Sequence, residues 1–221
     1  TNLATLGVMA GMQGDYETAR KYHEESHKLP RDLDEDDHRG IANSLGTLGV
    51  VATKQGEFET AREHYEESLE LHQKLDSRRG IAGSLNDLGL VARNQGDFET
   101  AREYFEESLE LQRELGDRFG IATNLANLGV VARKQRNFET AREYFDRCVQ
   151  KYIEIGATRR SLRALNHLIS ACKTLDRTDE AGQYCELALE LIEESEIQEL
   201  ESEAVRYRAR RILFSDGDPP E

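Results

Sequence analysis

Apolar residues return along this chain at helical spacing, and the whole pattern returns every forty residues. In the copy that begins at Gly80, Ala82, Leu85, Leu88, Gly89 and Ala92 form one apolar stripe. Phe98, Ala101, Phe105, Leu109 and Leu111 form a second. Asn94-Gln95-Gly96-Asp97 separates them. A glycine there suits a helix end that needs positive φ, and Asp97 suits the cap of the next helix. The predicted unit is a helix, a tight turn and a second helix, with Gly89 and Ala101 letting the two approach closely. The same signs recur at Gly40 and Gly120: Gly49, Gly89 and Gly129; Phe58, Phe98 and Phe138; Ala61, Ala101 and Ala141. A fixed period of this size marks a repeat architecture. One helix pair cannot bury its stripes alone, so neighbouring pairs must stack.

The pattern places repeats at about 1–37, 38–77, 78–117, 118–157 and 158–194. Thr1 falls inside a first helix, which leads us to expect a piece of a longer protein cut within a repeat. The fourth copy carries Arg136 where Gly56 and Gly96 stand, so a reshaped or mildly strained turn is expected. The fifth keeps Leu165, Leu168, Cys172, Ala181, Cys185 and Leu189 in register, but has Ile169 at the glycine and Thr178 at the aromatic position. Residues 195–214 read as a capping helix with Ile197, Leu200, Ala204 and Ile212 on one side. Arg206, Arg208, Arg210 and Arg211 then form a solvated face or a patch for an acidic partner. Residues 215–221 read as a disordered tail.

Leu85, Gly89, Ala92, Gly96, Phe98, Ala101 and Phe105 give this pattern the spacing of the tetratricopeptide repeat, and the chain resembles that family over about residues 1–194. Arg113 stands where the family has a proline, and the period is forty against about 34 in the usual repeat. It is similar to the extended type found in kinesin light chains, polarity adaptors and prokaryotic regulators. The resemblance implies an all-α, right-handed α-solenoid of stacked helix-turn-helix repeats. It also implies a protein-binding role, with the first helix of each repeat lining a concave groove.

Composition narrows the partner. A net charge of −14 argues against direct nucleic-acid binding, which needs clustered cations. No apolar run approaches the roughly 18 residues of a membrane span, and no stretch reads as a secretory signal. A cytoplasmic, reducing setting fits the three cysteines, Cys148, Cys172 and Cys185, all at core-facing positions and without CxxC spacing.

Two segments resemble metal motifs and are read otherwise. His23-Glu24-Glu25-Ser26-His27 matches HExxH, but His23 and His27 take the registers of Phe105 and Leu109, and no third ligand is evident. The acidic run Asp32-Leu33-Asp34-Glu35-Asp36-Asp37 lacks the calcium-loop glycine and terminal glutamate and reads as a solvated loop before a helix. No phosphate-cradling glycine loop and no nucleophile motif stand out, so no enzyme, metal or cofactor is expected.

The lining positions that the resemblance implies are Asn43 and Lys54 in the second repeat and Asn86, Arg93 and Asn94 in the third. They continue with Asn127, Arg133 and Lys134 in the fourth, and Arg163, Asn166 and Lys173 in the fifth. Those helices bring six lysines and arginines to the wall against one acid, Asp87, while Glu63, Glu66, Glu67 and Glu70 show where the negative charge lies. A wall of one sign focuses potential on its ligand. Asparagine can hold a peptide backbone through donor and acceptor, and arginine suits carboxylates. The expected ligand is a protein or peptide segment bearing acidic side chains or a free carboxylate, similar to the ligands of carboxylate-clamp chaperone adaptors. A plainer role for Arg93, Arg133 and Lys134 is pairing with glutamates of adjacent repeats. Two other readings are self-association through Leu3, Leu6 and Met9, and a sensory segment controlling a larger regulator. His167 is the one histidine on the wall and reads as a polar contact.

Overall fold

A computed structural model describes residues 35–195 and 200–215, with 3, 6, 7, 10, 15, 17, 18, 21, 22 and 25 before them. Among the described residues there are nine helices and no strand. They are α1 (Glu35–Gln55), α2 (Phe58–Lys74), α3 (Arg78–Gln95), α4 (Phe98–Glu114), α5 (Arg118–Lys134), α6 (Phe138–Glu154), α7 (Thr158–Thr174), α8 (Thr178–Glu194) and α9 (Glu201–Ser215). The all-α class of stacked helix-turn-helix pairs expected from the sequence is the class observed. The chain forms two compact units, Thr1–Leu115 and Gly116–Glu221. In the first, α1 packs on α2, α2 on α3, and α3 on α4; in the second, packing runs in the same consecutive way from α5 to α9. His23, His27, the segment 30–34, Met9, Ile197 and the tail 216–221 lie outside the described residues, as does most of the first copy.

The repeated small residues explain the pairing. A Cβ built on Gly49, Gly89 or Gly129 would lie 2.6, 2.6 or 2.7 Å from the ring of Tyr65, Phe105 or Phe145. The aromatic ring of each second helix therefore fills the space above the bare backbone of the first. Ala61, Ala101 and Ala141 are wholly buried at the same seam. The fifth pair departs in a balanced way: Ile169 takes the glycine register and Cys185 the ring register, and both are buried. Volume lost from one helix is returned by the other, which is how cores tolerate substitution.

Two seam features are absent from the apolar pattern. The Ser68 hydroxyl donates to the Ala42 carbonyl at 2.8 Å, and the Ser108 hydroxyl to the Ala82 carbonyl at 2.8 Å. Both serines are buried, although their Glu-Glu-Ser setting reads as surface. In α4 the residue buried near the helix end is Gln112, while Leu111, placed in the stripe from its apolarity, is only half-buried. The three cysteines are buried free thiols. Burial pushes the Cys148 thiol up to about 12 and the Cys172 thiol to about 11, so both stay protonated and unreactive.

Of the two expectations for the fourth turn, mild strain is the one observed, and reshaping is not. Arg136 adopts φ 63, in the same left-handed region as Gly56 at 80 and Gly96 at 85. Asn137 N–H donates to the Ala132 carbonyl at 2.8 Å, as Asp97 N–H does to Ala92 at 2.9 Å. The helix-end hydrogen bonds dictate the conformation, and the arginine bears a steric cost of about 1 kcal/mol. Asp97 caps α4 as expected, accepting from Thr100 N–H at 3.1 Å.

Unit two adds a charge ring. Arg142 of α6 contacts Glu139 at 3.2 Å and Glu180 at 3.3 Å, and Arg177, which precedes α8, contacts Glu139 at 3.0 Å and Glu180 at 3.1 Å. Helix α9 is then fixed by buried Leu200, Ala204 and Tyr207. The Tyr207 hydroxyl donates to the Leu162 carbonyl of α7 at 2.9 Å. Tyr207 lies outside the aliphatic stripe proposed for this helix.

Candidate functional site

The wall residues fall on the first helix of each pair. In unit one, Asn43 and Lys54 lie on α1, and Asn86, Arg93 and Asn94 on α3. In unit two, Asn127, Arg133 and Lys134 lie on α5, and Arg163, Asn166 and Lys173 on α7. Asn43, Lys54, Asn94, Lys134, Arg163 and Lys173 are exposed, while Asn86, Arg93, Asn127, Arg133 and Asn166 are half-buried. Lys54, Arg93, Arg133, Lys134 and Lys173 all occupy last turns of these helices. The exposed carbonyls of a helix end favour cations there, so the backbone itself supports this placement. Ion pairs run along the second helices, Arg62 with Glu59, Arg102 with Glu99 at 2.7 Å, Arg113 with Glu110, and Lys151 with Glu154 at 2.7 Å, and Arg78 of α3 pairs with Glu114 of α4 at 2.8 Å.

The single wall acid has a particular setting. Asp87 is half-buried, and its Oδ1 accepts from the Asn86 amide at 3.3 Å. Burial pushes its carboxyl up to about 6. It also raises the phenol of Tyr65, which has a hydroxyl where the next two pairs have phenylalanine. Forty residues on twice over, His167 holds the same register and stacks on Phe145, ring centroids 5.1 Å apart and 25° between planes. Burial first, then the Arg133 and Arg163 charges, lower the His167 imidazole below its ordinary value. It is neutral near pH 7 and acts as a packed aromatic.

Arg163 and Asn166 are brought together, with a neighbour that the wall pattern did not include. A cavity of about 430 Å³ lies between α7 and α9, lined by Arg159, Arg163, Asn166, Glu203, Arg206 and Arg210 among others. The Asn166 amide donates to the Leu162 carbonyl at 3.1 Å, and its Oδ1 accepts from Arg210. Both ends of that amide are thus engaged within the unit. Arg206 and Arg210 face this cavity, while Arg211 lies 3.9 Å from Glu186. The arginines of α9, read together as one face, therefore divide.

Among the described residues no group of three or more His, Cys, Asp or Glu side chains could hold a metal ion. None of the described helices is long and apolar enough to cross a membrane.

Against known proteins, a family model described as tetratricopeptide repeat matches residues 1–74 and 80–154, and a second of the same description matches 126–196. No curated protein matches the chain significantly. Among solved structures, a signal-transduction ATPase with numerous domains from Pyrococcus horikoshii, described with a tetratricopeptide repeat sensor, superposes with a TM-score of 0.83 at 15% identity. The overlap covers 98% of this chain and 33% of that one, so the chain spans a third of that protein's length. A Rap conjugation gene regulator of plasmid pLS20, in complex with the Phr* peptide, matches with TM-score 0.67 and 17% identity over 98% of this chain and 58% of its own. Nearly identical TPR-like repeats assigned to a Podosopora anserina kinesin light chain match with TM-score 0.67 and 14% identity, covering 89% and 96%. At these identities the likeness is one of fold.

Proposed function

Because the chain belongs to the tetratricopeptide repeat family, we propose that it is a non-enzymatic recognition module whose first-helix walls hold an extended protein segment with acidic side chains or a free carboxylate. The observation that carries this reading is the separation of charge. Lys54, Arg93, Arg133, Lys134, Arg163 and Lys173 stand on the first helices of a chain whose net charge is −14. Cationic first-helix walls on an acidic protein attract an anionic segment. The Rap regulator with its bound Phr* peptide supports peptide recognition by a chain of this fold.

The Pyrococcus protein favours a second reading, in which the repeats are the sensing part of a larger regulator and peptide capture is the signal. The two readings share one binding event. Fluorescence anisotropy with a labelled Asp/Glu-rich peptide carrying a free C-terminus tests it. The Arg93→Glu/Arg133→Glu/Lys134→Glu variant should bind at least tenfold more weakly, and binding to the parent chain should fall as salt rises through about 0.15 M. Equal affinities for parent and variant would remove the wall from the account.

A further inference from the structure

The cavity between α7 and α9 is more strongly cationic than any peptide-backbone subsite requires. Arg159 and Arg163 reach it from α7, Arg206 and Arg210 from α9, and Glu203 supplies one opposing carboxylate. Among the described lining residues, Arg163, Arg206 and Arg210 against Glu203 leave a local excess of two positive charges, with Arg159 beside them, in a chain that is net −14. All four arginines are solvent-exposed, so the cavity is open to a ligand. Its floor is set by buried Tyr207, anchored to the Leu162 carbonyl, and by Asn166, held between Leu162 and Arg210. These bonds fix α9 over α7 and hold the two pairs of arginines around one space.

We propose that this cavity binds a phosphomonoester. A carboxylate would neutralise only one of the two excess charges. A phosphomonoester carries close to two negative charges at pH 7 and presents three acceptor oxygens, and guanidinium forks pair with such oxygens two at a time. The volume of about 430 Å³ falls within the range of small-ligand pockets, about 300–1,000 Å³. It therefore takes the phosphate together with the group that carries it. Two carriers share this chemistry: a phosphorylated side chain of a protein segment and a phosphorylated small molecule. The inference rests in part on the reading above, because Arg163 and Asn166 belong to both surfaces, but Arg159, Arg206 and Arg210 belong to the cavity alone.

Titration calorimetry on the full chain tests it with three probes: a phosphoserine hexapeptide, its unphosphorylated twin, and O-phosphoserine as the free amino acid. The phosphopeptide should bind, the serine peptide should not, and binding should weaken as pH falls through about 6, where the phosphate gains a proton. Arg206→Glu/Arg210→Glu should weaken binding at least tenfold, and so should the milder Arg206→Gln/Arg163→Gln, which keeps the proposal testable if the first variant loses α9. Arg208→Glu should bind as the parent does. Binding of the phosphopeptide alone identifies a protein segment as the carrier; comparable binding of O-phosphoserine identifies a small molecule. Failure of both phosphorylated probes, equal binding of the serine peptide, or unchanged binding in both cavity variants overturns the assignment. If the acidic peptide of the preceding test still binds while the phosphorylated probes fail, the cavity assignment falls and the wall reading stands. If the phosphopeptide binds and Arg93→Glu/Arg133→Glu/Lys134→Glu leaves acidic-peptide binding unchanged, the wall reading falls alone.

Discussion

The α3/α4 pair and the α7/α8 pair solve the same packing problem with different residues. In α3/α4, Gly89 gives up its side chain and Phe105 fills the space. In α7/α8, Ile169 supplies the volume and Cys185 yields it. The first pair turns through Asp97, which caps α4; the second turns through Arg177, which joins the ring with Glu139, Arg142 and Glu180. The first continues a series; the second is covered by α9 through Tyr207. The repeat is thus defined by summed volume and backbone register rather than by residue identity. Its final member spends its sequence freedom on charge and on closure.

The largest effects should come from exchanging the two solutions. Phe105→Cys alone opens a cavity and should cost about 3–5 kcal/mol, and Gly89→Ile alone overpacks and should cost about 1–3 kcal/mol. Combined, they rebuild the α7/α8 arrangement inside α3/α4, and urea unfolding should show the double variant less destabilised than the sum by at least about 1 kcal/mol. Strict additivity would mean that the two positions do not share one volume.

A smaller effect separates the two residues that share a wall register, Asp87 and His167. The folded state raises the Asp87 carboxyl from 3.8 to about 6. Stability from its protonated form is therefore present below about pH 4 and lost as pH rises towards 6. Asp87→Asn should stabilise the chain by about 1 kcal/mol at pH 7 after allowance for solvent screening, and the gain should vanish near pH 4. For His167 the lowered imidazole gives the opposite slope, with stability lost as pH falls below 6.5. Thermal melts of Asp87→Asn at pH 4 and pH 7 check the sign; a gain that grows on acidification contradicts it.

The smallest effect concerns the turns. Arg136 and Gly96 share a left-handed backbone, so Arg136→Gly should raise stability by up to about 1 kcal/mol, with Gly96→Arg moving the other way.

The period, the helix pairs, the close approach at Gly89 and the cap at Asp97 were legible because each depends on local spacing and side-chain size. The strain at Arg136 is legible from the missing glycine, but the unchanged turn path is not, because backbone hydrogen bonds, not the residue's preference, decide it. Ser68 and Ser108 were missed because a buried hydroxyl reaching a carbonyl 26 residues away looks like surface polarity in one dimension. The cavity escaped notice for the same reason: Arg210 meets Asn166 across 44 residues, and no periodic pattern links α9 to α7. For the proposed wall, the helix carrying each residue is legible from the period; the carbonyl ends that favour five of the cations are visible only with the helix boundaries.

Hydrogen–deuterium exchange with and without the acidic peptide tests the central claim, that the first helices form the recognition surface. Protection should concentrate in α1, α3, α5 and α7, where the wall cations lie, with the second helices α4 and α6 unchanged. Protection confined to α4 and α6, or none on any first helix at saturating peptide, would contradict the account.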